Sequence, residues 1–235
     1  MASKKITLKK LVGTLCLINL VSFLTYYLTT YVFAGTVSVY IFYFYTEIVR
    51  IIVPIASAVA IFVTYAKESA GKCFLHSLYC TLPWLISLFP FYAYEYAYQG
   101  LVIETVISFA ALHTLFMVAV LYLENLILGL IMIAASRFLL SIKKVPYTKS
   151  AILCGNDPLD FSTPSAVGLF AGCSLLFLYN LIREIVDTVQ FIGYADGIYE
   201  PFEIIYIVIK YVFILGTLLA SYFAAHKLER SLKFK

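Results

Sequence analysis

The sequence predicts an all-α fold: a polytopic transmembrane helical bundle of six spans, one domain covering 1–235, with both termini cytoplasmic. Three observations lead there. Hydrophobic residues make up 63% of the 235 residues and charged residues 13%, against roughly 45–50% and about 25% in soluble domains. A soluble chain of this composition could not cover its apolar surface. The apolar residues gather in runs of about twenty, the length that crosses a hydrocarbon core of about 30 Å. The runs are continuous, without the alternation of β-barrel strands. Finally, the 17 Lys and Arg residues are one-sided. Arg50, Arg183 and Lys210 fall inside apolar segments, and all the others fall at the termini or in alternate connections.

The first span, 11–33, follows Lys4, Lys5, Lys9 and Lys10. A signal peptide's apolar region is about 7–15 residues, and this run is longer, so it reads as an uncleaved crossing. The second span, 37–65, carries Pro54, and the third, 73–97, carries Pro83 and Pro90; each proline removes a helical hydrogen bond and predicts a kink. The fourth is 101–123. Thr163-Pro164 opens the fifth, 165–192, and Glu200-Pro201 opens the sixth, 202–225, with proline at the first helical position. Connections 34–36, 99–100 and 193–200 contain no Lys or Arg, whereas 66–72 and 143–149 are basic. The positive-inside rule then places both termini in the cytoplasm.

Region 124–142 is the exception to this pattern. Its apolar run is short for a crossing, and a seventh span would carry Lys143, Lys144 and Lys149 outward. Ser136, Arg137, Ser141 and Lys144 can share one helical face. The expectation is an extension of the fourth helix, or an interfacial helix on the cytoplasmic side.

Polar residues recur at helical spacing. In the second span Glu47 and Arg50 lie in one stripe with Tyr40, Tyr43 and Ser57. In the fifth, Asn180, Arg183, Glu184, Asp187 and Gln190 occupy a sector of about 120°, with Arg183 and Asp187 spaced to pair. In the sixth, Lys210 shares a stripe with Glu203, Tyr206, Thr217 and Ser221. Counted from the helix ends at 1.5 Å per residue, Glu47, Arg50, Arg183, Glu184, Asp187 and Lys210 all fall between the midplane and the outer interface. Each would cost about 2.5–3.5 kcal/mol if left unpaired there. The six sum to zero charge, so they are expected to neutralise one another, to face water, or both. Gly168 and Gly172 form a GxxxG beside the polar sector of the fifth span and predict close helix packing.

The remaining chemistry is sparse. Cys16, Cys73, Cys80, Cys154 and Cys173 have no metal spacing. Cys73, next to Lys72 at a helix start, is a candidate for lipidation, with a plain buried thiol as the alternative. His76, His113 and His226 share no ligand spacing, and no HExxH, GxSxG or P-loop is present. The sequence therefore names no catalytic residue, metal or cofactor. Asp157 and Asp160 read as turn and cap residues. Tyr-rich clusters near 40–45 and 89–98 fit an interfacial aromatic belt, and Glu95, Glu104, Asp196, Glu200 and Glu203 make an acidic outer rim. The expected partner is the lipid bilayer, with anionic lipid at the basic cytoplasmic face and no nucleic acid. Two functions fit: passage of a small solute or ion along the six buried charges, or a non-catalytic membrane scaffold, assembly or trafficking factor in which those charges are structural.

Overall fold

A computed structural model describes residues 6–28, 36–67, 70–148, 151–152, 157–194 and 201–233. Among the described residues, seven α-helices follow one another: α1 (Leu8–Tyr27), α2 (Thr36–Lys67), α3 (Ala70–Thr81), α4 (Leu85–Tyr98), α5 (Ile103–Ile142), α6 (Pro164–Tyr194) and α7 (Pro201–Ser231). Two-residue strands, β1 (Ile6–Thr7) and β2 (Leu232–Lys233), pair in parallel, with Ile6 opposite Leu232. Among the described residues, five stretches are long and apolar enough to cross a membrane: α1, the α3–α4 pair from Gly71, α5, and most of α6 and α7. A shorter apolar stretch, Ile51–Ala66, lies in α2.

Helix punctuation follows the prolines. Pro164 and Pro201 each open a helix, where the missing N–H would have no intrahelical partner in any case. Pro83 sits in a 3₁₀ turn, Leu82–Trp84, that separates α3 from α4, whereas Pro54 and Pro90 are carried within α2 and α4. α5 runs unbroken for 40 residues, about 60 Å at 1.5 Å per residue. It therefore includes 124–142 in the same helix as 103–123. It stops where Lys144 turns left-handed (φ 53°) and Val145 N–H donates to Leu140 O at 3.1 Å, a Schellman ending on a residue other than the usual glycine.

The chain forms two compact units, Met1–Leu130 with Leu228–Lys235, and Ile131–Lys227. In the first, α2 supplies much of the described core: Val53 and every residue from Ala58 to Val63 have no exposed surface. Cys73 on α3 donates its thiol to Ile61 O at 3.4 Å, and Thr64 bonds His76 at 3.0 Å. α5 approaches the same place through Gly129, where a Cβ would meet Ile61 Cγ2 at 2.6 Å. α1 lies parallel to the α3–α4 pair, with Ser87 donating to Asn19 Oδ1 at 3.0 Å and Tyr26 to Glu95 at 3.2 Å. Asn125 on α5 donates to Thr81 Oγ1 at 3.2 Å.

Cys73 is only 4% exposed, and its thiol is engaged with the α2 backbone.

In the second unit, the last three turns of α5 pack on the start of α6. Ser136 is buried and donates to Pro164 O at 2.7 Å and to Met132 O at 2.9 Å. It therefore leaves the polar face expected for 136–144, on which Arg137, Ser141 and Lys144 remain exposed. The connector after α5 folds back onto the helices. Phe161 packs against Phe170 (5.3 Å between ring centroids) and Tyr222 (5.8 Å), and the Tyr222 hydroxyl donates to Pro158 O. Asp157 and Asp160 act as turn residues, accepting from Leu159 N at 2.9 Å and Ser162 N at 3.0 Å. These bonds from Ser162, with Lys143 nearby, hold the Asp160 carboxyl below its ordinary range.

Elsewhere the helices present bare apolar side chains. Leu112, Phe116, Phe138, Val189 and Val212 are each more than half exposed. Apolar patches on this scale are costly in water and ordinary against lipid.

Candidate functional site: a charged cluster on two helices

Two cations, one from α6 and one from α7, converge on one carboxylate. Glu184 is completely buried. The Lys210 ammonium, on α7, ion-pairs with its Oε2, and Arg183 Nη2 lies 3.0 Å from its Oε1. Asp187, one turn further along α6, comes within 3.9 Å of Arg183 Nε. Adjacent residues on a helix do not face each other, so the Arg183–Glu184 contact depends on the guanidinium curling back over its neighbour. That posture leaves Nε directed at Asp187, so one arginine serves two carboxylates.

A hydroxyl brace accompanies the charges. Tyr211 donates to Thr188 Oγ1 at 3.1 Å and approaches Glu184 O at 3.4 Å. Lys210 and Tyr211 are neighbours on α7, and Glu184 and Thr188 are one turn apart on α6. The two helices are thus stitched by two consecutive residues of one to two consecutive turns of the other. Sequence reasoning placed Arg183, Glu184, Asp187 and Lys210 in polar stripes, and the structure brings these four together, but it missed Tyr211 and Thr188. The signal available was their placement, Tyr211 next to Lys210 and Thr188 at i+4 from Glu184.

Burial is graded across the cluster. Glu184 has no exposed side-chain surface, Lys210 12%, Arg183 19% and Asp187 52%. The carboxylate deepest in the protein therefore receives two cations, and the outermost one shares Arg183. Two full positive and two full negative charges make the cluster neutral. Asn180, one turn before Glu184, is buried and donates to Leu176 O at 2.9 Å, so it serves its own helix and takes no part in the cluster. Thr217 and Ser221, further along α7, likewise donate to carbonyls of their own helix.

Glu47 and Arg50 belong to α2, and their side chains lie outside the described residues, as do those of Glu203 and Tyr206. Gly168 and Gly172 meet α5. A Cβ at Gly168 would lie 2.5 Å from Met132 O and collide with Ser136 Oγ, and one at Gly172 would lie 2.6 Å from Met132 Cγ. The GxxxG therefore seats α6 on the end of α5, more than a turn away from Glu184 along the helix.

A second polar group lies in the first unit. His113 on α5 stacks on Tyr92 of α4 (centroids 4.0 Å apart, planes 11° from parallel), and its Nδ1 shares a hydrogen bond with the Tyr96 hydroxyl at 2.9 Å. Glu95, assigned by sequence to the acidic rim, is the acceptor for Tyr26. Part of the Tyr-rich belt is thus a set of helix–helix contacts. Among the described residues, no three His, Cys, Asp or Glu side chains come close enough to hold a metal ion. No family model, curated protein or solved structure matches the chain, so the functional reading rests on the cluster's own geometry.

Proposed function

We propose that the chain is a non-catalytic multi-pass membrane protein, a scaffold or assembly factor, in which the Glu184 cluster locks α6 to α7. The observation that carries this reading is the complete burial of Glu184 between two cations. A solute path needs a site that opens to water, whereas a carboxylate without exposed surface and with both oxygens engaged is a fastening. The ion pairs are held where their dissolution would strand charge in an apolar medium, at about 3–5 kcal/mol for removing one partner.

The topology proposed with it is six crossings with both ends cytoplasmic. Three observations support this. The two ends of the described chain meet in the β1–β2 pair, which an odd number of crossings would forbid. α5 is continuous through 124–142, and a straight helix cannot turn back for a seventh crossing. The basic residues outside the apolar segments fall at the termini and in alternate connections, the pattern that the positive-inside rule reads as one cytoplasmic side. Epitope tags at both ends should react only on the cytoplasmic side of sealed cells; a tag detected outside would break the assignment.

Passage of an ion or small solute along Glu47, Arg50, Arg183, Glu184, Asp187 and Lys210 is the second reading, and one observation favours it. Arg183 already contacts two carboxylates, one buried and one half exposed, so it can exchange partners as Asp187 gains or loses a proton. The two readings part in a single experiment. Asp187→Asn and the double variant Glu184→Leu/Lys210→Leu are each reconstituted in vesicles and assayed for acid-driven proton uptake, with thermal stability measured in detergent. A structural lock predicts no protein-dependent uptake in the unaltered chain and a double variant about as stable as it. Uptake that Asp187→Asn abolishes at unchanged stability would establish the transport reading instead.

A further inference from the structure

We propose that a groove beside the first turns of α1 retains one anionic glycerophospholipid. The groove has a volume of about 870 Å³ and is lined by Thr7, Leu8, Lys9, Val12, Gly13 and Tyr79 of α3. That volume falls within the range of about 300–1,000 Å³ usual for small-molecule sites. Gly13 makes the recess: a Cβ built there would meet nothing within 4 Å, so almost any other residue would project into the open space. Leu8, Val12 and the half-exposed ring of Tyr79 supply apolar walls.

The cation that lines the groove stands at the α1 N-terminal end. Lys9 lines it, and Thr7 caps the helix there by accepting from Lys10 N at 3.4 Å. The other wall ends the same way. α1 and the α3–α4 pair run parallel, as the Asn19–Ser87 and Tyr26–Glu95 contacts require, so the start of α3 lies toward the start of α1. Lys72 is seven residues before Tyr79, two turns earlier on the same face. Cations from both walls therefore gather at the end that the basic termini assign to the cytoplasmic interface, while Val12 and Gly13 lie about 4–6 Å deeper. An occupant complementary to that gradient has an anionic head and an apolar tail aligned with the membrane normal. A zwitterionic lipid would bring no net charge to the lysines, and a soluble anion would leave the apolar walls uncovered.

Native mass spectrometry of the full chain in detergent, with equal amounts of dioleoyl-phosphatidylserine and dioleoyl-phosphatidylcholine added, tests the site. The unaltered protein should hold one phosphatidylserine in clear preference to phosphatidylcholine. Lys9→Gln and Lys72→Gln should each weaken it about fivefold, the effect of one cation near an anionic lipid surface. Gly13→Trp, which fills the recess, should abolish retention while the unfolding midpoint stays in place. Gly13→Leu serves as the milder version if the tryptophan variant does not purify. Equal retention of the two lipids, full retention by the Gly13 variants, or displacement by glycerophosphoserine as effective as by whole lipid would each overturn the proposal.

Discussion

The two units fasten their helices by different chemistry. In the first, helices are joined by hydrogen bonds between Asn19 and Ser87, Asn125 and Thr81, Thr64 and His76, and Tyr96 and His113. Tyr26 adds one hydrogen bond to the partly exposed Glu95. In the second, α6 and α7 are joined by two cations and two carboxylates around a fully buried Glu184. Neutral contacts in a bilayer contribute modestly, averaging about 0.6 kcal/mol, because the separated helices find other partners. Charges have no comparable fallback, so the pairs that neutralise them are hard to break even where they add little net stability. Contacts of the first kind tolerate exchange, and contacts of the second kind fix a register.

Breaking the charged contact should produce the largest effect. Glu184→Gln removes the buried carboxylate that Lys210 and Arg183 share, and is expected to cost about 3–5 kcal/mol of stability, read as the largest fall in unfolding midpoint among the variants considered. Removing the charges together, in Glu184→Leu with Lys210→Leu, should recover most of that loss. Arg183 and Asp187 remain as a pair, and two apolar side chains replace the ions. If the double variant is no more stable than Glu184→Gln alone, the cluster is not an isolated lock, and further groups must depend on it.

The glycine seat of α6 comes next in size, and its two residues should differ. At Gly168 the new methyl would meet a backbone carbonyl, Met132 O, and the buried Ser136 hydroxyl that bonds Pro164. Neither can move without displacing a helix, so Gly168→Ala should cost about 1–3 kcal/mol. At Gly172 the methyl meets the flexible side chain of Met132, which can rotate away. Gly172→Ala should therefore cost well under half as much in the same melting assay. Equal losses would mean that α6 is not seated independently at the two glycines.

How much of this was legible in the sequence depends on what each feature obeys. Span positions follow from apolar run length, and helix starts from Pro164 and Pro201, because both rules act within a few residues of chain. Arg183, Glu184, Asp187 and Lys210 come together as residues of two polar stripes, since the face of each is fixed by helical geometry. Which charge takes which partner did not. Arg183 and Asp187 have the favourable i, i+4 spacing, yet Arg183 makes its shorter contact with its own neighbour, because Lys210 holds Glu184 from a different helix. The GxxxG was visible, but the helix that fills it was not: Met132 and Ser136 lie in a segment whose polar residues read as an exposed face. Ser136 is buried because α6 begins directly over it, a tertiary fact without a local signature. Cys73 shows the same limit. Its position after Lys72 resembles an accessible interfacial thiol, and only the packing of α3 on α2 closes it off.

The smallest predicted effect sharpens the contrast between the units. Asn125 is as fully buried as Glu184, so burial is held constant while charge is removed from the comparison. Its Nδ2 donates to Thr81 Oγ1, but its Oδ1 has no partner among the described residues. Asn125→Leu loses one hydrogen bond and also removes that unpaired oxygen, while Thr81 keeps its own bond to Ser77 O at 3.0 Å. The two changes oppose each other, and the net effect should stay within about 0.6 kcal/mol. Its unfolding midpoint, measured beside that of Glu184→Gln, then isolates what charge adds at equal burial. A loss at Asn125 as large as the one at Glu184 would show that both units depend on buried polar contact as such, and that the ionic character of the α6–α7 fastening is incidental.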